Sequence, residues 1–173
     1  MAHKLIVGQT LSGKSTLARA MVKDAISRGI QPCIYDPTMN PDWGTEFVTC
    51  EPDIFFAWLR DFHAAGYKCV AVIDEAETIL SQSDRRNWWL FTRGRHFAIE
   101  CIAITLRPTL IAPTVRGNCA ELFCFYINRN DAAILASDFG APAVEKAYEL
   151  IQGEFFRAAW KDKKKCVDKL KIF

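Results

Sequence analysis

Short apolar runs alternate along the chain with longer stretches whose apolar residues recur every three or four positions, a pattern that builds a sheet flanked by helices. Leu5-Ile6-Val7 predicts a first strand. Leu17, Met21, Val22, Ala25 and Ile26 then share one face, which predicts a helix over residues 14–28 stopped by Gly29. Residues 31–37 read as a second strand ending in a turn, and residues 38–51, with Pro41, Gly44 and few periodic apolar positions, as a surface connection. A helix over residues 52–65 carries Ile54, Phe55, Trp58, Leu59 and Phe62 on one face, and Gly66 closes it.

The run Cys69-Val70-Ala71-Val72-Ile73 has no polar interruption, as suits the centre of a parallel sheet covered on both faces, and it ends in Asp74-Glu75. Beyond it the pattern predicts a helix over residues 84–94, a strand over 100–105, a proline-bounded loop over 109–118 and an aromatic-rich strand over 121–127. Short helices over 131–138 and 142–150 flank Gly140. Residues 153–173 read as a hairpin with a basic turn at Lys161-Asp162-Lys163-Lys164-Lys165.

At 173 residues, half of them hydrophobic and 24% charged, the chain reads as one globular domain with a sizeable core. A net charge of +2 is too small to argue for nucleic acid by itself, so any such contact must come from local patches or from summing over an oligomer. The seven cysteines are odd in number and scattered, with no Cys-x-x-Cys pair or Cys/His cluster and several inside apolar runs, so neither a zinc site nor a disulfide framework is expected and a reducing compartment fits. The N-terminus leads straight into the first strand without a signal-peptide layout, and no apolar run is long enough to span a bilayer. The expectation is a cytosolic protein, or one carried in an assembly made in the cytosol.

Chemistry concentrates at two places. Gly8-Gln9-Thr10-Leu11-Ser12-Gly13-Lys14-Ser15-Thr16 fits the Walker A phosphate-loop pattern at every fixed position. In such a loop backbone N–H groups curl around an anion, the lysine reaches the β- and γ-phosphates, and the hydroxyl after it ligates Mg²⁺. Asp74-Glu75 matches a Walker B strand end, with Asp74 holding the metal and Glu75 orienting or deprotonating water. The glutamate favours NTP hydrolysis over transfer to a metabolite, because hydrolases position water. The fold class is therefore α/β: a three-layer α/β/α P-loop NTPase with a mostly parallel central sheet and a C-terminal β-hairpin. It is a single domain over residues 1–173, with its core in 1–128 and an appendage in 129–173.

Together with Val72-Ile73-Asp74-Glu75-Ala76, Thr92-Arg93-Gly94-Arg95-His96, Ile104-Thr105-Leu106-Arg107-Pro108 and Pro113-Thr114-Val115-Arg116-Gly117-Asn118, the phosphate loop resembles the FtsK/HerA superfamily of DNA-translocating ATPases. Within it the chain is most similar to the genome-packaging ATPases of viruses and phages with an internal membrane. The resemblance implies ATP and Mg²⁺ as ligands, a homo-oligomeric and usually hexameric ring, and DNA, single- or double-stranded, as partner. A capsid or virion membrane protein would dock it, at the packaging vertex of the virion or in the host cytoplasm. It also implies an arginine supplied by a neighbouring subunit, for which Arg93, Arg95 and Arg116 are the candidates. The family's sensor glutamine is replaced here by Leu106, so either Thr105 substitutes or γ-phosphate sensing is weak.

Lys161, Lys163, Lys164 and Lys165 at the hairpin turn are either DNA contacts or a solvated edge, and Trp88 and Trp89 either stack on bases or pack inward. Three rivals accompany the packaging motor. They are an assembly or secretion ATPase of the zonula occludens toxin-like type, a small nucleoside or nucleotide kinase, and a nucleotide-gated binding module with little turnover.

Overall fold

The structure, a computed structural model, describes residues 2–161 and 164–172. Eight strands form one sheet: β1 (Lys4–Val7), β2 (Gln31–Tyr35), β3 (Val48–Thr49), β4 (Cys69–Ile73), β5 (Ile99–Thr105), β6 (Glu121–Cys124), β7 (Glu154–Lys161) and β8 (Lys164–Lys171). Their order is β3-β2-β4-β5-β1-β6-β7-β8, with every pairing from β3 to β6 parallel and the β6–β7 and β7–β8 pairings antiparallel. The C-terminal hairpin thus extends the parallel sheet instead of standing apart from it.

Successive residues of the central strands enter two different cores, as strand pleating requires. Leu5 and Val7 of β1 and Cys69, Ala71 and Ile73 of β4 face one side. There they meet Phe55, Phe56 and Leu59 of helix α2 (Pro52–Ala64), Leu90 and Phe91 of α3 (Trp89–Arg93), Val115 of α4 (Pro113–Gly117) and Leu135 of α5 (Arg129–Asp138). Ile6, Val70 and Val72 face the other side and are covered by Ala18, Val22 and Ala25 of α1 (Lys14–Ser27) together with Trp43 and Phe155. The three layers are those predicted.

Several elements differ from the sequence expectation. Residues 84–94 are not one helix: α3 spans five residues and passes into a 3₁₀ turn over Gly94–Phe97. Ahead of α3 the chain runs through a turn in which the Asp84 carboxylate accepts from the Arg86 N–H and guanidinium. The loop over 109–118 contains α4, started by Pro113 at a position where its missing N–H costs nothing. The connection over 38–51 contains the edge strand β3 and a 3₁₀ turn that buries Trp43. Residues Pro142–Glu149 form a 3₁₀ helix, not an α-helix. Among the described residues no helix is long and apolar enough to cross a membrane. Lys163 of the predicted basic turn lies outside the described residues.

Candidate functional site: a phosphate loop facing two carboxylates

Between β1 and α1 the chain turns through Gly8 to Gly13. The Gly8 N–H donates to the Thr105 carbonyl and the Gln9 N–H to the Tyr126 carbonyl, which moor the loop to the strand ends on both sides. Leu11 takes a left-handed backbone, φ 63°, and its side chain is 83% exposed on the crown of the loop. Gly13 has φ 111° and caps α1. The first-turn N–H groups of Lys14, Ser15 and Thr16 have no intrahelical acceptor, as at any helix start, and carry the positive end of the helix dipole. They form a ready anion cradle. Lys14 is buried, and its Nζ donates to the Gln9 carbonyl at 2.8 Å.

Glycine is required at two of these places. A Cβ on Gly8 would lie 2.6 Å from Phe125 Cβ and 2.8 Å from Ser12 Oγ. A Cβ on Gly13 would meet Ile172 Cδ1 at 2.7 Å and Phe125 Cε1 at 3.2 Å, in a backbone region that L-residues rarely adopt. The Ile172 contact belongs to a wider dock of the C-terminal hairpin on the loop: the Gly153 N–H donates to the Ser12 carbonyl and Gln152 Nε2 to the Leu11 carbonyl. Gly13→Ala is expected to cost about 1–3 kcal/mol of stability, with weakened triphosphate binding. The double variant with Ile172→Ala should recover part of both, read by thermal melts and nucleotide titration.

The two sequence motifs meet in one cleft of about 590 Å³. Its walls include Thr10, Lys14 and Ser15 from the loop, Asp74, Glu75 and Glu77 from the end of β4, and Thr105 and Leu106 from the end of β5. The sheet order explains the spacing, since β5 lies between β1 and β4 and separates the phosphate loop from the carboxylates by one strand. Asp74 Oδ1 accepts the Glu75 N–H at 3.0 Å. Burial pushes the Asp74 carboxyl up, and nearby Asp36 and Glu75 add to the rise. Burial pushes the Lys14 ammonium down, against the attraction of Asp74 and Glu77. A phosphate beside Lys14 and a divalent cation beside Asp74 would each favour the charged form of the neighbouring group. Glu75 sits at φ 45°, ψ 51°, an uncommon backbone for a non-glycine residue, and its side chain is exposed.

Thr105 is not a free substitute for a sensor glutamine. Its buried hydroxyl donates to the Arg107 carbonyl at 3.2 Å and closes the turn after β5. Leu106 lines the cleft with an apolar side chain. Arg107 is tied to the buried Asp131 by two hydrogen bonds of 2.8 and 3.2 Å.

The candidate arginines separate. Arg116 is buried; its Nε donates to Asp138 at 2.7 Å and its Nη1 to the carbonyls of Pro108 and Ile111 at 2.8 and 2.7 Å. A guanidinium so committed is not free to enter a neighbour's site, and the sequence expectation for Arg116 is corrected accordingly. Arg93 and Arg95 are exposed. They precede β5, at the end of the sheet opposite the cleft, where Arg95 reinforces the effect of burial in holding the His3 imidazole down to about 4. The seven residues of β5 span roughly 20 Å, so neither arginine serves the cleft of its own subunit.

Arg19, Thr38, Asn40, Glu77 and Gln152 also line the cleft and were not anticipated from sequence. Glu77 had a signal, a third acid two residues beyond Glu75, and Arg19 another, one helical turn after Ser15. Thr38 and Asn40 are placed by the buried Asp36. Burial alone would raise its carboxyl, but hydrogen bonds from Trp43 Nε1, the Thr38 hydroxyl and N–H and the Asn40 N–H outweigh this and hold it below the usual value. Gln152 had no signal, because only the hairpin dock brings it there. Trp88 donates its indole N–H to the Ser81 carbonyl and packs with Trp89 against the core, the inward alternative to base stacking.

No protein-family model matches the chain, and no curated protein matches it. Solved structures do. The genome packaging NTPase B204 from Sulfolobus turreted icosahedral virus 2, in complex with AMPPCP, superposes with a TM-score of 0.80 at 20% identity over 96% of this chain and 95% of its own. The chain shares the fold of this NTPase, helices on both faces of a mostly parallel sheet. The pCW3 conjugation coupling protein TcpA, in its monomer form with ATPγS, matches at TM-score 0.70 and 19% identity over 98% of this chain and 59% of its own. The cytoplasmic domain of the Thermomonospora curvata type VII secretion ATPase EccC matches at TM-score 0.66 and 15% identity, covering 98% of this chain and 24% of its own.

Proposed function

We propose that the protein is an ATP-hydrolysing motor that translocates DNA, packaging a viral genome as a homo-oligomeric ring at the virion vertex or in the host cytoplasm. The observation that carries the reading is the convergence of Lys14, Ser15, Asp74 and Glu75 on one cleft, in a fold shared end to end with a genome packaging NTPase.

The loop N–H groups and Lys14 bind the β- and γ-phosphates. The Ser15 hydroxyl and the Asp74 carboxylate are hard oxygen donors that fit Mg²⁺, which takes few protein ligands and keeps several waters. When bound, the ion neutralises charge on the phosphate oxygens. Glu75 accepts a proton from water as its oxygen bonds to the γ-phosphorus. The bond from that phosphorus to the β,γ-bridging oxygen breaks, and ADP and inorganic phosphate leave with the proton passed to solvent. Arg93 or Arg95 of a neighbouring subunit stabilises the charge on the transferring group, because the far end of each subunit carries both. Lys161 and Lys164 are exposed at the hairpin end, while the Lys165 ammonium lies 5.5 Å over the Trp160 ring and 5.3 Å over Phe139. In a ring these tips present a cationic annulus to DNA phosphates. A capsid or virion membrane protein is the expected docking partner.

The test is ATP turnover and particle mass, each measured with and without double- and single-stranded DNA. DNA-stimulated hydrolysis by a multimer supports the motor. A strict monomer under every condition overturns the shared site, and phosphate transfer to a nucleoside without DNA stimulation makes the protein a kinase.

A further inference from the structure

The 3₁₀ turn Ala76–Thr78 follows Asp74 and Glu75 directly and sets Glu77 in the wall of the cleft beside Lys14, Ser15 and Asp74. Its Oε2 is buried and accepts no hydrogen bond. A buried carboxylate oxygen without a donor is costly, and such an atom in a cleft calls for a donor that arrives with the ligand. The nearby cations make no hydrogen bond to it, although Arg19 Nε is likewise buried without a partner and Lys14 is drawn to it electrostatically. Lys14 Nζ donates to the Gln9 carbonyl, and the Arg19 guanidinium pairs with Asp42 and lies 5.8 Å over the Trp43 ring. Among the described residues, Glu77 takes part in no salt bridge.

Mg²⁺ takes only one or two carboxylates, a place Asp74 fills, and among the described residues no group of three His, Cys, Asp or Glu side chains gathers there. Glu77 therefore stands one layer out from an ion held by Ser15 and Asp74. Mg²⁺ sheds its waters reluctantly, and each retained water presents polarised O–H donors outward. We propose that Glu77 is a positioning residue whose Oε2 accepts hydrogen bonds from these waters, and that it sets how tightly the cleft holds a Mg²⁺–triphosphate. The proposal rests on the nucleotide reading of the cleft. Outer-layer partners of this kind commonly change metal affinity by 10–100-fold when removed.

The probe is a fluorescent, non-hydrolysable ATP analogue, its anisotropy followed as free Mg²⁺ is raised from an EDTA-buffered start. Glu77→Gln keeps the shape and loses the negative acceptor. It is expected to bind the analogue in EDTA as the wild type does and to need about tenfold more Mg²⁺ to reach the same affinity. Glu77→Asp, which keeps the charge on a shorter arm, should fall between the two, with an apo melting temperature confirming that both variants fold. An unchanged Mg²⁺ midpoint in Glu77→Gln overturns the proposal, as does equal weakening with and without Mg²⁺, which would make Glu77 merely structural. A wild type that binds no triphosphate at all overturns the nucleotide reading itself.

Discussion

Glu75→Gln is expected to lower ATP turnover by roughly 10²–10⁴-fold, the range a positioned general base supplies, while ATP affinity changes by less than about threefold. The side chain lines the cleft and is exposed to it, so it can meet water that enters with the nucleotide. Gln and Glu share shape and similar backbone preferences, so the left-handed conformation at φ 45° is no harder for the variant to hold. The Asp74 Oδ1 bond to the residue 75 N–H is a main-chain bond and survives the exchange. What is lost is the basic oxygen. Steady-state turnover and equilibrium binding of ATP, measured on the same preparation, separate chemistry from affinity. A variant that hydrolyses as fast as the wild type removes Glu75 from the chemistry.

The site was legible in the sequence wherever local pattern alone defines it. The phosphate loop needs glycine at Gly8 and Gly13 because a Cβ there would strike Phe125, Ser12 and Ile172, and those glycines are visible as letters. Asp74-Glu75 was visible because a fully apolar strand ends in them. The interposition of β5 was not visible, since strand order is set by packing across the sheet and not by order along the chain. Gln152 and Ile172 reach the loop only through the antiparallel hairpin, more than a hundred residues downstream. The reading failed at residues 84–88, where a turn carrying the Asp84–Arg86 pair stands in place of the first helical turns. Burial misled it at Arg116, which one-dimensional pattern cannot distinguish from an exposed arginine of the same motif.

Arg116→Ala is accordingly expected to damage the fold before it damages catalysis. The substitution leaves the Ile111 carbonyl without a donor, the Pro108 carbonyl with only the Ile111 N–H, and Asp138 without its partner. The unsatisfied Ile111 carbonyl costs about 1–3 kcal/mol, and Asp138, one-third exposed, recovers part of its loss from water. The sum is about 3 kcal/mol, which for a chain of this size lowers Tm by roughly 6–12 °C. Arg116→Lys should recover little, because a single ammonium does not reproduce the fork that reaches two carbonyls and a carboxylate together. Arg93→Ala and Arg95→Ala, both at exposed positions, should keep Tm within about 1–2 °C and show their effect on turnover alone. Thermal melts and ATP turnover on the three alanine variants decide the matter. Arg116→Ala with a wild-type Tm and lost turnover would return it to the role of an arginine acting across a subunit boundary.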